Sequence, residues 1–518
     1  MKNAFTFVCE EMGSVLRKTS YSPNIKERMD ASCAIFDSKG RMFAQAEHIP
    51  VHLGSMPLAV HYTKKYFEDD LVHGDQIVVN DPYHGGSHLN DITLVMPVFF
   101  QDKIIGYAVN KAHHADVGGK SPGSMPSDSR TLEEEGIVIS PVKLMENGKE
   151  NKEVFDLIKV NTRNPKERAG DLRAQIASNI TGGNRFLFYL DKYDKDKYIE
   201  FVEAILNYSE KRVKNAISSI QNGIYGSEDW MDDDGISEDP VKIAVKVEVK
   251  DEEIEIDFTG TDSQVAGNIN SPYAVALSSV YYVMRCITDP FAPPNHGCYR
   301  PIEVKIPEGC LLNPNPPAAV SAGNVETSQR IVDVLFLALA EALSDRIPAQ
   351  SQGTMNNLLI GSKDFTYYET IAGGEGAFPF RHGQSGIHTH MTNTANTPIE
   401  ALESAYPLRV EAYELIPETG GKGRFNGGLG VRRAVRFLGL GGTLSIISDR
   451  RKNPPKGLFQ GENGKKGRNY LLRGTNTIKL PSKATISLKK GDLVVVETPG
   501  GGGNRRSSRR FPPAKPMS

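Results

Sequence analysis

Two apolar runs, Ile92–Phe100 and Ile104–Ala112, are separated only by Gln101-Asp102-Lys103. Runs of this length, rich in β-branched and aromatic side chains and joined by a short polar break, pair as an antiparallel hairpin. Register matters here, because a slip by one residue turns every side chain to the other face. A three-residue loop centred on Asp102 sets Asp91 opposite His113. A two-residue Asp102-Lys103 loop sets Asp91 opposite His114. Either register leaves a histidine and an aspartate ~4.5–5.5 Å apart at Cβ. His88, three residues before Asp91 in a Gly-Gly-Ser-His loop, can fold back toward the same point.

Two imidazoles with carboxylates suit Mn²⁺, Fe²⁺ or Zn²⁺ better than Ca²⁺ or Mg²⁺. A mixed nitrogen and oxygen sphere with an open position is that of catalytic metals. The competing reading is that these groups only satisfy backbone at a hairpin end.

At 518 residues the chain is long enough for roughly three units of ~150 residues. A hydrophobic fraction of 39% and a charged fraction of 24% are those of a globular chain in water. The net charge of −2 gives no electrostatic case for nucleic acid or an anionic membrane. No run approaches ~20 apolar residues, so no membrane span is expected. MKNAFTFVCEEMGSVLRK reads as an amphipathic helix and not as a signal peptide. Five scattered cysteines without a CxxC pair point to free thiols and a cytoplasmic location.

The periodicity predicts an α+β chain of several units. Residues 1–225 form an N-terminal α/β metal-binding part, with a second hairpin at SCAIFD and MFAQA and helices from Glu153 to about Val213. The acidic stretch GSEDWMDDDGISEDP (226–240) reads as a solvated linker and the main boundary. A central α+β unit, 241–420, carries the apolar helices AVALSSVYYVMRCIT and ETSQRIVDVLFLALAEAL. A β-rich unit follows at 421–503, and 504–518 is a basic, Pro-rich tail expected to be disordered.

No GxxxxGK[ST], GxSxG or HExxH motif is present. GKGRFNGGLG and GENGKKG are rich in Gly and Lys but lack the phosphate-loop context. TPGGGGN (498–504) reads as a flexible turn or an anion nest. His388 and His390 share one side of an extended segment, either as a second polar site or as a hydrogen-bonded loop. The polar cluster VSAGNVETSQR before so apolar a helix suggests a pocket floor.

The ordered motifs YSPNIKERMDASCAIFDSKGRMFAQAEHIPVHLGSM, GDQIVVNDPYHGGSHLNDITLVMPVF, AHHADVGG, GDLRAQIASNI, SAGNVETSQR, GQSGIHTHMTNTANTPIE, GRFNGGLGV and TPGGGG together resemble the hydantoinase B/oxoprolinase family over roughly residues 8–503. The resemblance implies one subunit, or half of a fused chain, of ATP-dependent enzymes such as N-methylhydantoinase, 5-oxoprolinase, caprolactamase and the acetone and acetophenone carboxylases. It implies a hydantoinase A-type partner that binds ATP and phosphorylates the substrate oxygen, which fits the missing phosphate loop. It implies metal ligands at Asp30 of KERMD, His88 and Asp91 of HLND, and His113 of AHHAD.

His114, Asp116 and Glu135 are then candidates for proton transfer or for orienting a ligand. His114 ranks first, although a regular strand would turn it to the opposite sheet face. Asn324, Glu326, His388 and His390 are candidates for substrate contact. The expected protein is the Mn-, Zn- or Fe-containing subunit of an ATP-dependent lactam hydrolase, working as a homodimer or hetero-oligomer. A ketone carboxylase subunit and a non-catalytic structural subunit are the alternatives.

Overall fold

The structure, a computed structural model, describes residues 1–46, 49–67 and 69–505. The expected basic tail lies, from residue 506 on, outside the described residues. The two apolar runs form β4 (Asp91–Phe100) and β5 (Lys103–His113). Their turn is Gln101-Asp102, with φ of 48° and 60°, the left-handed pair that suits a two-residue hairpin turn. Neither anticipated loop forms. Phe100 pairs with Lys103, and an irregularity between Val98 and Phe99 shifts the register so that Asp91 faces His113. A short turn plus a bulge thus produces the pairing of the three-residue loop.

The hairpin lies inside a seven-stranded sheet of order β2-β1-β5-β4-β3-β6-β7. Its other strands are β1 (Ala31–Asp37), β2 (Met42–Ala46), β3 (Gln76–Val79), β6 (Val142–Glu146) and β7 (Lys149–Glu150), all paired antiparallel. Both faces are covered, which is why the strands read as unbroken apolar runs. On one face, Phe5, Val8, Met12 and Leu16 of helix Lys2–Thr19 meet Cys33, Ile35 and Met96. Helix Pro165–Tyr193 closes on the same face, and a Cβ at Gly182 or Gly183 would strike Met12 or Met96. The other face packs on helix Ser55–Phe67 and on the middle of the chain, in one buried cluster that runs from Ala34 to Ile447.

The middle holds a second sheet, β11-β10-β9-β8, made of β8 (Gly223–Met231), β9 (Val241–Lys250), β10 (Glu253–Asp257) and β11 (Ile302–Lys305). Helices Tyr273–Ile287 and Ser328–Leu339 are nearly all buried. The acidic stretch is not a solvated linker. Its first half is β8, and Asp229, Asp232, Asp233 and Asp234 are buried. Their charge is met by cations from distant segments. Arg330 reaches Asp229 at 3.2 Å and Asp449 at 2.8 Å, Arg450 reaches Asp229 at 3.0 Å and Asp333 at 2.6 Å, and Lys483 reaches Asp233 at 3.1 Å.

The β-rich end comprises the sheets β13-β12-β16-β19 and β14-β15-β20-β17-β18. The strands are β12 (Asn357–Gly361), β13 (Thr366–Thr370), β14 (Leu408–Leu415), β15 (Val431–Phe437), β16 (Gly441–Ile447), β17 (Arg468–Arg473), β18 (Asn476–Leu480), β19 (Lys483–Lys489) and β20 (Leu493–Glu497). Gly500–Gly503 are neither a flexible turn nor an anion nest. Their amides are spent on the carbonyls of Lys465, Gly428, Gln350 and Glu462. A Cβ at any of the four would collide with backbone. Among the described residues no helix is long and apolar enough to cross a membrane.

Removing one partner from a buried ionic network strands the others. Arg330→Met is therefore expected to cost about 3–5 kcal/mol of stability. A urea midpoint equal to that of the wild type would show that the network is not holding the middle and C-terminal sheets together.

Candidate metal centre

Four separate segments deliver the donors. Met29, at φ 54°, turns the chain sharply into Asp30, and the Asp30 carbonyl accepts from the His113 amide at 3.0 Å. The Pro50–His52 turn places His52 against β1, with Nδ1 2.8 Å from Ser32 Oγ. The Gly85-Gly86 loop folds His88 back. Gly85 sits at φ 94°, and a Cβ at Gly86 would run into the Asn80 carbonyl. The β4–β5 register supplies Asp91 and His113.

Donor atoms of His88, Asp91 and His113 all lie within 4.8 Å of one another. His88 Nδ1 is 3.0 Å from Asp91 Oδ2, His113 Nδ1 is 3.2 Å from Oδ1, and His52 Nε2 is 3.5 Å from Oδ2. Asp30, His52, His88, Asp91, His113 and Asn324 face a cavity of about 20 Å³. Asn324 Nδ2 is 3.2 Å from His88 Nδ1. The Tyr368 ring stacks on His113 with centroids 4.8 Å apart. Behind it Tyr368 donates to Asn357 Oδ1 at 2.9 Å. Glu326 Oε1 accepts from Asn357 Nδ2 at 2.9 Å and from the Met355 amide at 3.1 Å.

Burial dominates the electrostatics. It would raise Asp91, but the His88 charge and hydrogen bonds from His113, His52 and His88 outweigh it and hold this carboxyl well below its ordinary value. Burial lowers His113, partly offset by Asp91. It pushes Lys111 down to about 8. The Lys111 ammonium donates to Ser87 Oγ at 3.2 Å, and Ser87 in turn donates to Asp91. Burial, with the Asp449 charge adding, lifts Glu326 to about 8, so this carboxyl is neutral at pH 7.

The donor set fits a divalent transition ion. His88 Nε2 and Asn324 Oδ1 are buried without a hydrogen-bond partner, and His52 Nε2 has only the Asp91 carboxylate at 3.5 Å. Orphaned buried polar atoms are rare and costly unless something else satisfies them. Asp30 lines the cavity but stands outside the tightest trio.

The three residues expected to move protons are not in the cavity. His114 points to the opposite face, with Nε2 2.8 Å from Gln175 Oε1, and is pushed down by burial and by the Arg168 charge. Asp116 braces a loop, accepting from Arg163 at 2.8 Å and from the Gly118 and Gly123 amides at 3.0 Å. Glu135 holds Ser129 and the 320–321 backbone. Of the substrate candidates, Asn324 reaches the cavity and Glu326 sits one layer behind it. His388 is half-buried, its two ring nitrogens shielded from water without a hydrogen-bond partner, while His390 faces Tyr282 and Asp333 beside a different cavity. The missed residues are His52, Lys111 and Tyr368. The Pro-Val-His-Leu-Gly run was a signal for the first, since a histidine fixed by a neighbouring proline turn is well suited to pointing inward.

The family model for hydantoinase B/oxoprolinase matches residues 1–504. The chain belongs to that family. An uncharacterised protein of Methanocaldococcus jannaschii, MJ0963, is 46% identical over 97% of this chain and 89% of its own length. The 5-oxoprolinase 1 of Arabidopsis thaliana is 38% identical over 96% of this chain, which spans only 40% of the plant protein. The crystal structure of an ATP-dependent caprolactamase from Pseudomonas jessenii superposes with a TM-score of 0.91 at 26% identity, covering 99% of this chain and 91% of that one.

Two outcomes are expected. The purified chain retains near-stoichiometric divalent metal by elemental mass spectrometry. His88→Ala and Asp30→Ala lose it, and metal retained in His88→Ala would displace the centre from the hairpin. The second concerns Glu326. The folded chain keeps a proton there that the unfolded chain releases near 4.5. Its contribution to stability is full below that value and is lost as pH rises to about 8. Glu326→Gln should therefore gain in urea midpoint relative to wild type across that window. A constant difference between the two proteins would refute the shift.

Proposed function

We propose that this chain is the metal-containing unit of an ATP-dependent hydrolase of a cyclic amide, acting on a lactam phosphorylated by a hydantoinase A-type partner. The observation that carries the reading is the convergence of His88, Asp91 and His113 at one buried cavity, with His88 Nε2 left without a hydrogen-bond partner. Both named relatives support the substrate class, since 5-oxoproline and caprolactam are lactams. The plant relative carries a further three fifths of chain beyond the part matched here, room for an ATP-binding unit.

An amide resists water because nitrogen donates into the carbonyl. Phosphorylation of the oxygen ends that resistance and makes the carbon electrophilic. A water oxygen adds to it, the C–N bond breaks as a proton reaches nitrogen, and the acyl phosphate takes a second water to release phosphate. Asp30, His88, Asp91 and His113 would hold the metal, which would supply Lewis acidity at the reacting carbon. Asp91, kept ionised by its three imidazole neighbours, anchors the set. Ser87 and Lys111 hold its Oδ2 in place from behind. Asn324 offers a side-chain amide to a substrate oxygen. Tyr368 walls the cavity and excludes water.

The test is co-expression with an A-type partner and assay of 5-oxoproline, hydantoin and caprolactam with ATP. Ring opening is expected for one of them, with a loss of at least ~100-fold in His88→Ala, the scale of a lost catalytic group. Wild-type turnover in that variant would remove the metal from the reaction. Label from bicarbonate appearing in a new carbon–carbon bond would replace hydrolysis by carboxylation.

A further inference from the structure

The GENGKKG loop, which the metal centre leaves unused, forms one wall of an open groove of about 950 Å³ on the C-terminal sheets. Lys465, Lys466, Arg468 and Lys479 all line the groove. All four are exposed, and none has a hydrogen-bond or ion-pair partner among the described residues. Arg451 lies at the floor. Its Nη1 donates to Asn356 Oδ1 and to the Asp449 carbonyl, both at 2.7 Å, and its Nη2 to Asn469 Oδ1 at 2.8 Å, while its Nε is buried without a partner and no carboxylate is bonded to the guanidinium. Of the two acidic residues that line the groove, Asp233 is already held by Lys483 at 3.1 Å. The other, Glu238, lines the groove without an ion-pair partner among the described residues, so five cations without a bonded carboxylate share one concavity with a single free acid, in a chain of net charge −2.

These cations are held on fixed backbone. The amides of Gly464, Lys465 and Gly467 donate to Pro455, Thr419 and Arg450 at 2.9, 2.8 and 3.1 Å. Gly464 lies flat on Gly500, where a Cβ would not fit. Like charges held together repel one another, and a multivalent anion relieves that repulsion. The groove also adjoins the metal cavity. Arg451 at its floor bonds Asn356. Met355, one residue before, lines the metal cavity, and Asn357, one residue after, carries the Tyr368 hydroxyl. The 355–357 stretch thus lies between Arg451 at the floor of the groove and the wall of the metal centre.

We propose that this groove binds the phosphoryl group of a small organic phosphate, the activated substrate on its way to the metal cavity. The assignment of that ligand rests on the reading of the chain as acting on a phosphorylated lactam. The chemistry recognised is a phosphate dianion on a small organic body.

The test is calorimetric titration of the full chain with phenyl phosphate and with inorganic phosphate, at low and at physiological salt. The variant is the triple substitution Lys465→Glu, Lys466→Glu, Arg468→Glu, all at exposed positions. Wild type should bind phenyl phosphate, more weakly as salt rises, and the variant at least ten-fold more weakly still. Metal content should not change, and with the partner present KM for ring opening should rise at least ten-fold while kcat stays within two-fold. Equal affinity in variant and wild type, or no binding to wild type, overturns the groove. So does a variant that only stops copurifying with the ATP-binding partner, which would make this a seat for an acidic protein segment. Phosphate binding that the variant loses, without ring opening of any lactam by wild type, leaves the groove standing and removes the lactam reading. Ring opening that the variant leaves untouched does the reverse.

Discussion

The Asp91–His113 pairing at the buried end of β4 and β5 is the constraint on which the centre depends. Asp91 touches His52, His88, His113 and Ser87, which arrive from three places in the chain. A carboxylate removed from water is held ionised only by groups aimed at it. Here the sheet aims one, two glycines aim another, and a proline turn aims the third. A change of β4–β5 register would bring His114 to the cavity and send His113 to the helix. The bulge near Val98 and Phe99, far from the chemistry, therefore decides which imidazole is available.

The same dry interior moves acids and bases in opposite directions. Lys111 falls to about 8 and Glu326 rises to about 8, one on each side of the cavity. Each keeps its carrier closer to neutral than water would, which limits uncompensated charge around Asp91 to what a bound cation can balance. The cavity itself, at about 20 Å³, is ion-sized, whereas pockets for organic ligands run to about 300 Å³ and more. An organic ring would fit there only after a wall moved. Met391, Thr392 and Thr394, on a stretch without regular structure, form one such wall, and Met355 forms another.

Local patterning made much of the fold legible. The hairpins, the apolar helices and the glycine-broken β runs of the C-terminal end all announce themselves by period or by turn chemistry. His88 and Asp91 were legible from three-residue spacing beside a hairpin. The failures share one cause: the deciding partner is remote. The 229–234 aspartates look like solvent-facing linker because Arg330, Arg450 and Lys483 are roughly 100 to 250 residues away in the chain. His114, Asp116 and Glu135 look chemically equal to His113 until a helix, an arginine and a distant backbone claim them. Only residue type and nearness in sequence had put them in the site.

The glycine strip at 500–503 carries a consequence for synthesis. Its amides tie together carbonyls at Gln350, Gly428, Glu462 and Lys465, so the strip acts as a clasp closed last. Loops made up to about 150 residues earlier have no permanent partner until it arrives. The N-terminal sheet has its strands and covering helices in hand by residue 217 and can settle while the ribosome is still working. The C-terminal sheets cannot, and during that interval their strand edges and unpaired carbonyls stand open to other chains. A chaperone dependence of this protein would therefore fall on its second half, until residues 500–503 are made.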